Sequence, residues 1–364
     1  MRRNIELPLK FPLMQCSALV MLLTSFAQAQ EAIHLGMSAP LSGPTKELGL
    51  SYSSGAQSAF TQYNQTRAAG APSIKLLVMD DGYEPLKTVS NTKKLLENKG
   101  LFGFFGYVGT PTTVAVLPLL KKQQKPLIAP LTGSDLFRQP SEQFIVNFRA
   151  SYAEEIATQF AVLVDEQQLK RVALFIQADE FGASVEKNIL SELDKRQIKP
   201  IYTARYQRNS SDIYDSIDKL QKHQPELVIT VGTYTAISEA LNYAEEQKFK
   251  PVFTVLSFTG ATALSKQLNS SHQVYATAVL PWPDIDEIAG DDIYKEGYYA
   301  ASLFIDAIMY CTPKVTQLCM MKQLAVFDGF RQSTNLSSKE SKRVYLLKYS
   351  DQGFKIYHPA STNL

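Results

Sequence analysis

Apolar runs of strand length alternate with amphipathic stretches of helix length over most of this chain, and few folds accommodate that alternation. Runs at 33–41, 74–80, 101–107, 126–131, 172–177, 201–206, 227–231, 251–257 and 274–280 are mostly continuous in Val, Ile, Leu and Phe. That is the pattern of strands buried on both faces. Between them, 50–63, 86–98, 113–123, 153–164, 183–195, 213–223 and 236–247 carry helical periodicity. In the last of these, Ile237, Leu241 and Ala244 fall on one face, with Gln and acids largely on the other. A β-α-β-α series predicts an α/β fold with mostly parallel sheets and right-handed crossovers. The rhythm breaks at 131–152 and again at 278–287, before a long helix at 292–309. Two breaks in one series predict that the chain passes between two lobes. The segment 343–358 alternates about Asp-Gln-Gly and predicts a terminal hairpin. A chain of 364 residues is long enough for two such units.

The first 29 residues stand apart. Arg2, Arg3 and Lys10 precede an apolar stretch at 16–26 that is short for a membrane span, and Ala27-Gln28-Ala29 follows. This predicts a secretory signal cleaved after Ala29 and a periplasmic protein; the other reading is a retained anchor. The whole chain holds 37 Lys and Arg against 35 Asp and Glu, and removal of the signal leaves 34 of each. No basic stripe remains to neutralise phosphates, which argues against a nucleic-acid partner. Cys311 and Cys319 survive cleavage. An even pair in an oxidising compartment suggests a disulfide, contributing roughly 2.5 kcal/mol by loop closure. Two buried thiols or half of a metal site are the alternatives, but no His or third Cys lies near enough to complete a zinc site. No metal and no cofactor are expected.

The stretch FGYVGTPTTVAV (105–116) ends a strand in glycine and opens a helix, as anion-binding turns do. A dinucleotide site is excluded because Gly103 and Gly106 lie within the strand and no acid follows before Ser134. A phosphate loop is excluded by the missing Gly-Lys-Ser/Thr. What remains is a helix start with Thr110 expected as N-cap, Pro111 at the first helical position, and the amides of Thr112 and Thr113 pointing outward beside the hydroxyls of Thr110 and Thr112, which suits a carboxylate or another small polar group. An ordinary capped helix would look the same. The next strand repeats the arrangement in Leu131-Thr132-Gly133-Ser134, and two hydroxyl-rich turns on one carboxyl edge predict a ligand seat.

With both turns in view, the chain resembles the type I periplasmic solute-binding proteins, in the branched-chain amino-acid branch that serves ABC transporters. The resemblance rests on GMSAPLSGPTKELGLSYSSGA (36–56), VMDDGYEPLKTVSNTKKLL (78–96), GYVGTPTT, PLIAPLTGS, VNFRASY (146–152), FIQADEFGAS (175–184) and GTYTAISEAL (232–241), in family order. It covers about 32–310. It implies two doubly wound lobes joined by three crossings, 30–148 plus 279–327 and 149–278 plus 328–364. It also implies a monomer that captures a small-molecule ligand, such as an amino acid, and delivers it to an ABC permease, without catalysis. A sensory subunit docking on a membrane receptor is the alternative. An exported enzyme is a remote one, since no nucleophile elbow or metal cluster is found.

Carried over by position, the resemblance implies ligand contacts at Thr110, Thr112, Leu131, Thr132, Gly133, Tyr234 and Ser257. Arg149 and Tyr152 at the first crossing are further candidates, as ligand contacts or as a hinge pin and ordinary packing. Two positions depart from the family. Leu48 stands where an aromatic is common. The acid that pairs an amino acid's ammonium falls within 256–259, where this chain has none. Either Asp179 or another acid substitutes, or the ligand is not an ordinary α-amino acid. Asp179 as a helix cap and Trp282 as a packed hinge residue are the plainer readings of those two.

Overall fold

The computed structural model describes residues 32–269, 271–280, 288–326 and 344–358. The signal segment, Trp282 and the expected third crossing near Asp328 lie outside the described residues. Two separate sheets carry the fold. The first has order β2-β1-β3-β4-β5, from β1 (Ile33–Ala39), β2 (Ile74–Asp80), β3 (Leu101–Phe105), β4 (Leu127–Ile128) and β5 (Ile145–Val146). All its pairings are parallel. The second runs β12-β11-β10-β9-β8-β6-β7. Its parallel part is β6 (Val172–Gln177), β7 (Tyr202–Tyr206), β8 (Leu227–Val231), β9 (Val252–Val255) and β10 (Val274–Ala278). The terminal hairpin, β11 (Tyr345–Ser350) and β12 (Gly353–Ile356), adds to β10 antiparallel.

The continuous apolar runs have the consequence expected of them: neighbouring residues of one strand feed two cores. Phe104 packs with Val116 and Leu120 of α3 (Thr110–Gln123). Phe105 turns the other way and meets Phe60 of α1 (Lys46–Thr66) at 5.5 Å between ring centres. α9 (Asp292–Cys311) lies along α1, so close that Gly55 and Gly297 each face backbone of the other helix where a Cβ would stand. Cys311, at the end of α9, is bonded to Cys319 in α10 (Gln317–Val326). The sequence pattern offered no clear sign of α10.

In the second lobe α4 (Tyr152–Phe160) starts in the capping box its sequence announces, Ser151 and Glu154 satisfying each other's backbone N–H. It continues as a wide π-turn through Glu166. α5 (Glu180–Lys195), α6 (Tyr214–His223), α7 (Tyr234–Glu246) and the short α8 (Ala261–Ser265) complete the lobe, and α2 (Pro85–Leu96) belongs to the first. The carboxyl ends of the parallel strands of both sheets face one another. Thr45 reaches Asn209 at 3.2 Å, Thr235 donates to Pro44 O at 2.6 Å, and Ser134 meets Ser184 at 2.7 Å. The lobes are closed on each other.

Candidate functional site

The two hydroxyl-rich turns meet. Leu131 sits beside Val108 in an isolated parallel bridge, and Gly109 N–H donates to Leu131 O at 3.1 Å. That pairing brings Thr110 Oγ1 and Thr132 Oγ1 to 2.8 Å, both fully buried. Gly109, not Thr110, is the N-cap of α3, with φ 95°, which pushes Thr110 to the first helical position and Pro111 to the second. Only glycine adopts that backbone cheaply. Thr112 also differs from expectation. Its hydroxyl donates backwards to Val108 O and Gly109 O, so it closes the turn and is not offered outward. The Thr113 amide does not point outward as expected but donates to Gly109 O at 3.2 Å, whereas the Thr110 and Thr112 amides meet no backbone acceptor among the described residues, as is usual in a first helical turn.

Gly133 holds the second turn against the first crossing. Its carbonyl accepts from Tyr152 N at 2.8 Å, and a Cβ there would stand 2.7 Å from the Tyr152 ring. Tyr152 is fully buried, its ring 5.3 Å from Phe181. Phe181 in turn lies 4.9 Å from Phe258, and Phe258 lies 6.2 Å from Tyr83. Tyr83 comes from the first lobe, in the left-handed region at φ 62°. Its ring lies directly over Gly109, where a Cβ would come within 2.2 Å. Leu48 closes the side by touching Gly260 of the second lobe, whose Cβ would lie 3.0 Å away. The wall facing the Thr110–Thr132 pair is therefore aromatic and drawn from both lobes. Tyr83, Phe181 and Phe258 were not picked out from sequence. Tyr83 sits inside the quoted DDGYEP turn, and the signal was a bulky residue beside glycine where a small one would turn more easily.

Several buried polar atoms around these turns make no hydrogen bond of ordinary geometry among the described residues. The Tyr83 hydroxyl looks toward Gln177 and the Tyr152 hydroxyl toward Thr132, but neither makes a hydrogen bond of ordinary geometry. Among the described residues Gln177 Oε1, the Tyr206 hydroxyl and Arg149 Nη1 also lack a hydrogen bond of ordinary geometry, though the Tyr206 hydroxyl approaches the Thr233 backbone. Burial raises the pKa of both Tyr83 and Tyr152, so both stay protonated and act as donors at neutral pH.

The charged candidates are largely occupied. Asp179 caps α5 by accepting from Phe181 N and Gly182 N, and it accepts further from Gln177 and Arg208. It is a cap and ion-pair residue here. Arg149 pins the crossing: Nη2 donates to Ser257 and Nε lies 3.2 Å from Glu296 of α9. Ser257 belongs to the same knot, its N–H and hydroxyl each 2.8 Å from Glu155 of α4. So an acid does approach the 256–259 turn, but it comes from another helix and is consumed by Ser257 and Thr277. Glu296 is pushed up to about 7, by burial first, with Arg149 opposing and Glu155 adding. Tyr234, at the start of α7, accepts from Glu47 N at 3.3 Å and so helps shut the mouth of the cleft. Beside it Arg208 links Asp179 to Glu84 of the first lobe, and Asn209 donates to Glu84 at 2.7 Å. Among the described residues no group of three His, Cys, Asp or Glu is placed to hold a metal, and no helix is long and apolar enough to cross a membrane.

This geometry has close counterparts. The sequence profile described as periplasmic binding protein matches residues 32–339. A possible leucine/isoleucine/valine-binding protein from Rhodopirellula baltica SH 1 superposes with a TM-score of 0.79 at 28% identity, over 92% of this chain and 98% of that one. A branched chain amino acid ABC transporter protein from Thermus thermophilus, solved with bound valine, gives 0.78 at 15% identity over 90% and 96%. A fatty acid ABC transporter substrate-binding protein from Thermomonospora curvata gives 0.76 at 17% over 90% and 91%. No curated protein sequence matches the chain.

Proposed function

The chain belongs to the periplasmic binding protein family, and from that premise we propose that it captures a small organic ligand between its lobes and delivers it to an ABC permease, without chemistry of its own. The observation that carries the reading is the meeting of Thr110 and Thr132 at the carboxyl edge of one sheet, facing an aromatic wall supplied by the other lobe. Hydroxyls and free helix amides at such an edge suit a carboxylate or similar polar head, and the aromatic wall suits an apolar body. Relatives described as binding valine, or as serving fatty acid transport, support a ligand of that size and polarity. The lobes we assign are 30–148 plus 279–327 and 149–278 plus 328–364. The split of the strands between two sheets supports this, as does the packing of α9 on α1. Export to the periplasm, with cleavage after Ala29, belongs to the same proposal.

Binding is tested by thermal unfolding of the purified protein, stripped of ligand by unfolding and refolding. The panel holds amino acids, carboxylic acids, amides and purines, and hits are followed by small-angle scattering for closure. A ligand at a hundred times its Kd adds about 2.7 kcal/mol, which is several degrees of Tm. Failure of every compound to move Tm or compact the protein would end the reading.

A further inference from the structure

Next to the 257–259 turn lies a cavity of about 370 Å³ that the Thr110–Thr132 seat does not use. Phe258 of that turn faces Tyr83 and Phe181, whereas Ser257 lines the cavity. Gly260 marks the partition. A Cβ there would lie 3.0 Å from Leu48, which closes the seat, and 3.8 Å from Ile293, which lines the cavity. Among the described residues three carboxylates at the start of α9 border this space, and they are not alike. Asp291 accepts from Ser51 and from Tyr294 N, each at 2.7 Å. Asp292 caps α8, accepting from Ala261 N at 2.9 Å and Thr262 N at 3.3 Å. Glu296, 3% exposed, accepts no hydrogen bond among the described residues: Arg149 Nε lies 3.2 Å away but out of line for one. Glu155, buried in the same knot, accepts from the Ser257 N–H, the Ser257 hydroxyl and Thr277. An ionised carboxylate offers about four acceptor positions, and leaving them empty away from water is costly.

We propose that this cavity is a second binding site, for a small primary amine in its ammonium form with a short apolar body, and that the Glu296 carboxylate is its counter-charge. Charge sets the sign. Arg149 is shared between Glu296 and Glu155, and its Nη2 is spent on Ser257. Lys266 and Lys295 also border the cavity, but the lysines that pair with acids among the described residues are others. Even with both counted, the four acids Asp291, Asp292, Glu296 and Glu155 face three bases, and one monovalent cation closes the balance. The rest of the wall sets the body. Ala278, Val279 and Leu280 of the second crossing and Ile293 of α9 are all buried and apolar, which suits an alkyl or aryl chain. A bare metal ion has no set of three ligands to hold it among the described residues. A proton answers the same need as the ammonium. Glu296 is pushed up to about 7, by burial first, with Arg149 opposing and Glu155 and Asp292 adding, and Tyr52 of α1 feels its charge. Ammonium and proton therefore compete, and the amine binds more weakly as pH falls through 7.

Calorimetry on the full-length mature protein compares 3-methylbutylammonium and 2-phenylethylammonium with 3-methylbutan-1-ol and 2-phenylethanol, which keep the body and lose the charge. At least one amine should bind at pH 8, with its alcohol weaker by about tenfold or more. The amine's affinity should fall by about tenfold or more on going to pH 5.5, where the amine itself is still fully charged. At pH 7 binding should release part of a proton, read as a heat that changes with the ionisation enthalpy of the buffer. Glu296→Gln keeps the size of the side chain; it should weaken the amine by about tenfold and abolish both the proton release and the pH dependence. If that variant does not fold, the pH and buffer readings on the unmodified protein decide alone. The inference is overturned if neither amine binds, if an amine binds no tighter than its alcohol, or if its affinity is flat from pH 5.5 to 8. It is overturned equally if binding and its pH profile survive Glu296→Gln, which would place the amine elsewhere. Displacement of the amine by potassium at equal concentration would overturn the organic character of the site. The solute-binding reading stands or falls by its own panel.

Discussion

Two arginines tie the lobes together, and they do it under opposite conditions. Arg149 sits at the crossing, its side chain 1% exposed, against a Glu296 that is 3% exposed. Arg208 sits at the mouth, 20% exposed, bridging a buried Asp179 and a Glu84 that is 42% exposed. A charge pair shut away from water is costly to form and far costlier to break by halves. A pair at a wet rim contributes little and breaks easily. The comparison separates the part of the interface that must persist through opening from the part that must let go. A clamp that opened at Arg149 would expose Glu155, Glu296 and Ser257 together; one that opens at Arg208 loses a few rim contacts.

The sharpest way to break the comparison is to remove the hinge cation. Arg149→Met should cost about 3–5 kcal/mol in urea unfolding, because Glu296 and Glu155 would be left buried without a counter-charge. A loss below about 1 kcal/mol would put Arg149 on the same footing as Arg208. The second way is pH. Glu296 is pushed from 4.5 up to about 7 by burial, so the folded state holds its proton more tightly than the unfolded chain. Its contribution is then fully present below about pH 4.5 and is lost as pH rises through 7, of order 3 kcal/mol in all. Glu296→Gln should flatten that slope, measured as unfolding free energy from pH 5 to 8. The third concerns the seat. Gly109→Ala meets both a φ of 95° and the Tyr83 ring at 2.2 Å, and should cost about 1–3 kcal/mol. In a Tyr83→Ala background part of that cost should vanish, since only the backbone strain would remain.

The hinge and the mouth also differ in how far they could be read beforehand. Strands such as 172–177 and 227–231 announce themselves to the residue, since burial on both faces leaves continuous apolar runs. The Thr110 and Thr132 turns were legible for a related reason: parallel strands deliver their carboxyl ends to one edge, so two similar endings must be neighbours. The knot at Arg149 was half legible. The arginine stood out at a break in the rhythm, but its partners Ser257 and Glu296 arrive from over a hundred residues away, and no local pattern names them. Arg208 was not legible at all, because a polar loop with one arginine looks like any solvated loop. Thr112 was misjudged because a hydroxyl in the first turn of a helix has two uses, outward to a ligand or back to the preceding carbonyls. Here Thr112 and Thr113 both fold back and donate to Gly109 O.

The smallest expected effect is also the one that bears most directly on working as a clamp. Glu84→Gln removes the rim charge facing Arg208 but keeps an amide oxygen for Asn209. Arg208 retains Asp179, so nothing buried is stranded, and unfolding free energy should move by less than about 0.5 kcal/mol. Closure should feel it more than stability does, because Glu84 meets Arg208 only when the lobes are together. We expect ligand release, followed by stopped-flow fluorescence, to speed up by about two- to fivefold, with association nearly unchanged. Raising the salt concentration on the unmodified protein should mimic the substitution, and salt should then do little further to the variant, since the interaction being screened is already gone. If release is insensitive to both, the mouth is held by Tyr234, Thr235 and Ser134 rather than by charge, and the contrast between the two arginines reduces to one of burial alone.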